Sequence, residues 1–85
     1  MIPPFLRPFF WDINTESFEP HAYPDYTIER ILELGTPEAV TWLENEFSKD
    51  EIKSVIRNDG RLSPRSATFW ALVYQIPNHD VASLR

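Results

Sequence analysis

The sequence contains no cysteine, only two glycines and no long uninterrupted run of apolar residues. Without cysteine the chain has neither disulfides nor thiolate metal ligands, which argues against a secreted scaffold and favours a reducing cytoplasm. Two glycines are too few for a glycine-rich phosphate loop. No window approaches the roughly 18 apolar residues of a membrane span, and no basic N-terminal region precedes an apolar run, so we expect neither a membrane anchor nor an export signal.

Patterns of catalytic or metal-binding residues are also missing. His21 and His79 lie far apart in the sequence without other ligands beside them, so we expect no metal site. Ser48 and Ser63 are explained as helix caps, and no histidine–aspartate pair has the spacing that would activate them. Short helices offer little concavity for paired catalytic carboxylates. We therefore predict that the protein is not an enzyme and needs no cofactor.

Acidic residues dominate one half of the chain. The chain of 85 residues has the length of a single domain, which we place at residues 1–85. Its net charge is −5. Residues 1–47 hold nine acidic and two basic side chains, whereas residues 48–85 hold four acidic and six basic ones. An acidic total disfavours a protein whose main task is to neutralise phosphates. The uneven distribution predicts a molecule with two electrically different halves.

An N-terminal arm, residues 1–23, is rich in proline and aromatic residues. The first 24 residues contain five of the eight prolines and six of the twelve aromatic residues. Because proline restricts its own backbone and that of the residue before it, we predict a turn-rich arm instead of a long helix. We expect Phe9, Phe10 and Trp11 to fold back onto the helical body, since large exposed aromatic clusters are uncommon on monomers. Docking of the arm on a partner protein is the alternative.

Two helices are predicted after the arm. The first has its apolar residues at helical spacing between Pro24 and Gly35, and glycine is typical of the C′ position that ends a helix. The second begins at Thr36 and Pro37, which are typical N-cap and N1 residues.

Two more helices follow in the second half. A capping box, Ser48-x-x-Glu51, predicts the start of the third helix, which Gly60 helps to end. Ser63 followed by proline predicts the start of the fourth, and Pro77 is expected to stop it.

The predicted fold is all-α, a small bundle of four to five short helices with an aromatic, proline-rich N-terminal arm. From Phe69 onward apolar residues lie all round the fourth helix, which predicts that it is the central element of the bundle. The predicted core consists of Ile28, Ile31, Leu32, Val40, Leu43, Phe47, Ile52, Val55, Ile56, Phe69, Leu72, Val73 and Ile76.

Charged residues form two stripes at helical spacing. Asp25, Glu29 and Glu33 recur every four residues along the first helix and define an acidic ridge. Lys49, Lys53 and Arg57 recur in the same way along the third helix. For both stripes the simplest interpretation is a solvated face.

Nucleic-acid binding is the alternative function. Residues 48–58, a four-residue connection and residues 63–76 have the outline of a helix-turn-helix motif. The fourth helix is largely apolar, and a charge of −5 opposes phosphate contact, so this interpretation ranks second. The residues predicted to contact nucleic acid in this case are Lys49, Lys53, Arg57, Arg65, Ser66 and Thr68.

The chain resembles a family of short bacterial and archaeal proteins of unknown function. The resemblance spans about residues 9–76 and rests on a Phe-Trp-Asp start, an Ile-Glu-Arg helix and a Leu-Ser-Pro…Phe-Trp end. The matching segments are Phe10-Trp11-Asp12-Ile13, Ile28-Glu29-Arg30-Ile31-Leu32-Glu33-Leu34-Gly35, Trp42-Leu43, Glu51-Ile52, Val55 and Leu62-Ser63-Pro64-Arg65-Ser66-Ala67-Thr68-Phe69-Trp70-Ala71-Leu72.

A partner protein is what this resemblance implies. Genes of the family often lie directly upstream of nucleotidyltransferase-like toxin genes of the abortive-infection type. The resemblance therefore implies an antitoxin or partner role, and it implies no catalytic residue. A nucleotidyltransferase is expected to have a basic, phosphate-accepting cleft, which an acidic domain can cover by charge complementarity. We therefore predict that the acidic ridge is the surface that binds this partner.

Overall fold

Four α-helices make up the body of the protein in the computed structural model, which describes residues 2–84. Helix α1 spans Pro24–Leu34, α2 spans Pro37–Glu46, α3 spans Lys49–Asn58 and α4 spans Pro64–Val73. Shorter 3-10 helices lie at Pro4–Phe10, Pro20–Ala22, Asn78–Asp80 and Ala82–Leu84. No strand occurs within the described residues, so the predicted all-α class is confirmed.

The predicted helix starts are confirmed by their hydrogen bonds. Ser48 Oγ accepts from the Glu51 backbone N–H at 3.1 Å, and Glu51 Oε1 accepts from the Ser48 N–H at 2.9 Å, which completes the capping box. Thr36 and Ser63 cap α2 and α4 by accepting from the backbone N–H three residues later. These bonds satisfy backbone donors that a helix leaves unpaired at its first turn.

Replacing either capping serine should lower stability without affecting any binding activity. We expect Ser48→Ala to reduce the free energy of unfolding by about 0.5–2 kcal/mol, measured by urea denaturation. Ser63→Ala should lie at the upper end of that range, because Ser63 Oγ also donates to a second side chain, Glu33. Loss of binding in a fully folded Ser48→Ala variant would contradict a purely structural role.

The ends of α1 and α4 differ from the prediction. Helix α1 does end before Gly35, but Gly35 has a φ of −68° and is not left-handed. Glycine is needed there because a Cβ atom would clash with the Ile31 carbonyl oxygen. Helix α4 ends at Val73, so the predicted stop at Pro77 is wrong. In the turn that follows, Gln75 has a left-handed backbone with a φ of 58°, and the Ile76 N–H donates to the Ala71 carbonyl at 2.8 Å. This turn prevents the helix from continuing to Pro77.

Helix α1 is the central element, because the other three α-helices and the 3-10 helix of the arm all pack against it. The prediction that α4 is central is wrong. Helix α4 turns its small residues Ala67 and Ala71 inward and leaves Phe69, Leu72 and Val73 exposed. The predicted core is confirmed for Ile28, Ile31, Leu32, Leu43, Phe47, Ile52, Val55, Ile56 and Ile76, whereas Val40 is half-buried.

The N-terminal arm packs onto α1 through two residues of its 3-10 helix that lie four positions apart. Leu6 and Phe10 are completely buried, and Phe18 joins them in the core. Phe9 is half-buried and packs against the same core. The expected packing of the arm is therefore confirmed for Phe10. Trp11 remains 70% exposed, and one face of its indole ring contacts Arg30 of α1.

Candidate protein-interaction surfaces

The predicted acidic ridge does not form a continuous solvated face. Asp25 is exposed, but Glu29 is only 9% exposed and Glu33 is half-buried. The expectation of a solvated stripe is therefore wrong for two of its three residues. The physical reason is that α1 is central, so the chain between α3 and α4 and the start of α4 cover this side of it.

Glu33 caps the start of α4 from the neighbouring helix. Its Oε1 accepts from the Ser63 backbone N–H at 2.7 Å, and its Oε2 accepts from the hydroxyls of Ser63 at 2.9 Å and Ser66 at 2.6 Å. Burial raises the pKa of Glu33, but the hydrogen bonds from Ser66 and Ser63 outweigh burial and lower it below its usual value. A carboxylate also interacts favourably with the positive end of the helix dipole.

The Glu29 carboxylate faces two charged residues, Arg61 and Asp59, in the connection between α3 and α4. Its Oε1 lies 3.7 Å from Arg61 Nε, and Arg61 in turn forms a 2.6 Å ion pair with Asp59. Burial is the largest influence on Glu29 and raises the pKa of its carboxyl group. The hydrogen bonds from Arg61 lower the pKa of Asp59. Glu29 therefore contributes to an internal contact between α1 and the α3–α4 connection.

A group of exposed acidic residues lies where α1 and α3 begin. Asp25, Asp50 and Glu51 are exposed and line one cleft of about 380 Å³, and we call these three residues the acidic cluster. None of them forms an ion pair with another residue between positions 2 and 84. Asp25 is thus the member of the predicted ridge that remains available to a partner.

The residues predicted to contact nucleic acid are only partly available. Lys49, Arg57 and Arg65 are exposed and Lys53 is half-buried. The Ser66 hydroxyl donates to Glu33, and the Thr68 hydroxyl donates to the Pro64 carbonyl at 2.7 Å. Because a carboxylate already occupies the N-terminus of α4, a phosphate would meet negative charge there.

Sequence reasoning missed an exposed apolar surface on α4. Phe69 is 56% exposed, Leu72 78% and Val73 50%. Together with exposed Arg65 they lie on the side of the helix opposite Ala67 and Ala71, and we call these four residues the α4 face. The available signal was the pair of alanines four residues apart, which marks a face that packs closely against its neighbour. Because apolar residues lie all round the helix, Phe69, Leu72 and Val73 were instead predicted to lie in the core.

Arg30 joins the Phe-Trp-Asp segment to α1. Its guanidinium donates to both carboxylate oxygens of Asp12 at 2.9 and 3.2 Å and to the Phe9 carbonyl at 3.0 Å. It also lies 4.7 Å from the ring centroid of Trp11 and 4.9 Å from that of Tyr26. The hydrogen bonds from Arg30 hold the pKa of Asp12 below its usual value. Two segments of the family resemblance thus form one structural contact.

The Leu-Ser-Pro…Phe-Trp segment makes a second contact with α1. Leu62 is buried, Ser63 bonds Glu33, and the Trp70 indole Nε1 donates to the Leu32 carbonyl at 2.8 Å. This carbonyl belongs to the last turn of α1, where helix carbonyls lack partners within the helix. Both segments therefore have structural functions in holding the arm and α4 against α1.

Within residues 2–84, no group of three or more histidine, aspartate or glutamate residues lies close enough together to hold a metal ion. Over the same residues, no helix combines the length and apolar character needed to cross a membrane.

Comparison with known proteins identifies one family. The model of a family of unknown function (DUF6922) matches residues 5–56. The matched residues include most of the arm, α1, α2 and most of α3, whereas α4 lies beyond them. No curated protein and no solved structure matches the chain.

Proposed function

We propose that this chain, which belongs to the family of unknown function DUF6922, is a non-catalytic protein-binding module. Its proposed partner is a nucleotidyltransferase-like toxin, for which it acts as an antitoxin in the cytoplasm. The toxin partner rests on the family resemblance, and the absence of cysteine supports a reducing compartment.

The observation that carries the proposal is the acidic cluster. Within residues 2–84, three carboxylates without ion-pair partners line one cleft, Asp25 from α1 and Asp50 and Glu51 from α3. A cleft that binds nucleotides or nucleic acid is expected to be basic, so this surface is complementary to it in charge. Such complementarity speeds association and selects the partner more than it increases affinity.

The first experiment is to co-express this chain with the product of the gene immediately downstream and to measure their association. A variant that combines Asp25→Asn, Asp50→Asn and Glu51→Gln should associate roughly tenfold more slowly at low salt, and the difference should shrink as salt screens the charges. The amide side chains keep the size of the originals, and glutamine can still accept the capping-box hydrogen bond. Surface plasmon resonance at several salt concentrations measures the effect.

The matched control removes the same charge elsewhere. Glu16→Gln, Glu38→Gln and Asp80→Asn together change the net charge by the same amount, but these residues do not line the cleft. The control should associate at close to the wild-type rate. Equal slowing in both variants would contradict a localised surface, and a downstream product that is not nucleotidyltransferase-like or forms no complex would contradict the proposed partner.

DNA binding by the helix-turn-helix outline remains the alternative, since Lys49, Arg57 and Arg65 are exposed. Replacing Lys49, Lys53 and Arg57 by glutamate separates the two functions. The antitoxin proposal expects little loss of toxin binding, whereas DNA binding would collapse and lose its salt dependence. Tight, salt-dependent binding of DNA by the wild-type chain, with no effect of the acidic-cluster variant on any partner, would reverse the ranking.

A further inference from the structure

A cleft lined largely by aromatic rings opens between the end of the arm and the start of α1. Its volume is about 420 Å³, which is within the range of pockets that bind ligands. We call it the aromatic cleft, and its lining residues are Ile13, Asn14, Ser17, Phe18, Tyr23 and Tyr26. It shares no residue with the acidic cluster.

The rings of the aromatic cleft have two orientations. The planes of Phe18 and Tyr23 differ by only 16°, whereas those of Phe18 and Tyr26 are nearly perpendicular, at 79°. Tyr23 is 60% exposed, so a ligand in the cleft can reach its ring. The face of an aromatic ring is electron-rich and attracts a cation that lies within about 6 Å of its centroid. Such walls favour an organic cation over a neutral group of the same shape.

The segment that forms the cleft is acidic. Residues 12–26 contain four acidic residues, Asp12, Glu16, Glu19 and Asp25, and no lysine or arginine. Arg30 of α1 brings a positive charge to Tyr26, but Asp12 forms an ion pair with it at 2.9 Å. A ligand that enters the cleft therefore meets net negative charge, which attracts a cation and repels an anion.

Arg30 shows how this part of the molecule accommodates a guanidinium group. Its Cζ lies 4.9 Å from the ring centroid of Tyr26, while Asp12 and the Phe9 carbonyl accept its hydrogen bonds. The aromatic cleft offers the same two kinds of group, because hydroxyl and amide oxygens lie beside its rings. A planar guanidinium group stacks on aromatic rings, whereas the ammonium group of lysine is a compact point charge. The cleft therefore fits an arginine side chain best.

We propose that the aromatic cleft binds an arginine side chain of the basic partner protein, an inference that rests on the proposed function. The aromatic cleft and the acidic cluster lie on either side of the start of α1, one against the arm and the other against α3. A helix is about 10–12 Å wide, so one interface of standard size, about 800 Å² per partner, covers both. The acidic cluster then attracts the partner, and the aromatic cleft binds one of its arginines.

The first test uses the isolated protein and N-acetylarginine amide, with N-acetylcitrulline amide as a neutral ligand of nearly the same shape. In NMR titrations the arginine derivative should shift the resonances of Ile13, Asn14 and Tyr23, and it should bind about two- to fivefold more tightly than the citrulline derivative. Tyr23→Leu keeps an apolar wall but removes the ring face, so it should abolish this preference. Phe69→Leu is the matched control, since Phe69 is a similarly exposed aromatic residue on α4, at 56%, and should keep the preference.

The second test uses the complex with the product of the downstream gene. Tyr23→Leu should increase its dissociation rate about tenfold at both low and high salt, because an arginine packed among aromatic rings is typical of an interface hot spot. The acidic-cluster variant should instead slow association, and mainly at low salt. Circular dichroism of each variant confirms that it is folded, which is expected because Tyr23 is exposed.

Two outcomes would overturn the proposal. Equal affinity for the arginine and citrulline derivatives would show that the cleft does not select a cation. Selective binding of the arginine derivative, with unchanged dissociation of Tyr23→Leu from the partner, would show that this partner does not occupy the cleft. A downstream product that forms no complex would contradict the proposed function itself, and the titration of the isolated protein would still decide the selectivity of the cleft.

Discussion

Arg30→Ala should lower the free energy of unfolding by about 3 kcal/mol, a large part of the stability of an 85-residue domain. The substitution removes both hydrogen bonds to Asp12 and the bond to the Phe9 carbonyl. It also removes the group over which the rings of Trp11 and Tyr26 pack. Because these contacts join the end of the arm's 3-10 helix to α1, we expect Trp11 and Asp12 to lose their contact with α1 in the folded fraction that remains.

Urea denaturation followed by far-ultraviolet circular dichroism measures this loss. Arg7→Ala is the matched control: Arg7 is an exposed arginine in the arm, and its loss should change stability by less than about 0.5 kcal/mol. Arg30→Lys should recover only part of the loss, because an ammonium group cannot make the planar two-oxygen contact with Asp12. Equal stability of Arg30→Ala and Arg7→Ala would show that the Arg30 contacts do not hold the arm.

Glu33→Ala should destabilise the protein by about 2–3 kcal/mol, although its position every fourth residue from Asp25 predicted an exposed binding residue. The variant leaves the Ser63 N–H and the Ser66 hydroxyl without their charged acceptor at the start of α4. Asp25→Ala is the control from the same predicted ridge, and since Asp25 is exposed its loss should cost less than about 0.5 kcal/mol. Similar effects of the two substitutions would contradict the structural role of Glu33.

The contribution of Glu33 should also depend on pH. Its hydrogen bonds lower the pKa of the folded state below the ordinary value of 4.5, so the folded protein binds a proton less readily there than the unfolded chain does. The stabilisation is therefore fully present above the ordinary value and is lost as pH falls through the lowered pKa. Comparing wild type with Glu33→Gln isolates this effect from the other carboxylates. The difference in unfolding free energy should shrink as the solution is acidified, and a difference that grows would contradict the assignment.

Part of the candidate interaction surface was predicted from the sequence, and part was not. Asp25 was predicted and lies in the acidic cluster, but its neighbours there, Asp50 and Glu51, come from α3. Their proximity depends on how α3 crosses α1. The spacing of residues within one helix contains no information about how that helix packs against another.

The α4 face was assigned to the core for a related reason. Apolar residues on both sides of a short helix are consistent with full burial or with one free face. Which one occurs depends on the number of neighbours that the rest of the chain supplies. In this fold α1 takes the central position, and α4 packs through its alanines, so Phe69 and Leu72 stay outside.

The pattern of amino acids was enough to predict the all-α class and the residues at which α2, α3 and α4 begin. Each start depends on hydrogen bonds within about four residues, such as those of Ser48 and Ser63, and proline or glycine beside them leaves the backbone few alternatives. The tertiary structure alone decided that Arg30 meets Asp12 and that Glu33 caps α4, contacts that join residues 18 and 33 positions apart. The sequence does not distinguish a charged side chain that is exposed to solvent from one that is paired with another residue. The packing of α1 against its neighbours decides whether each of these side chains is exposed or buried. A buried carboxylate or guanidinium that lost its hydration without gaining a partner would destabilise the fold, so the buried ones are paired.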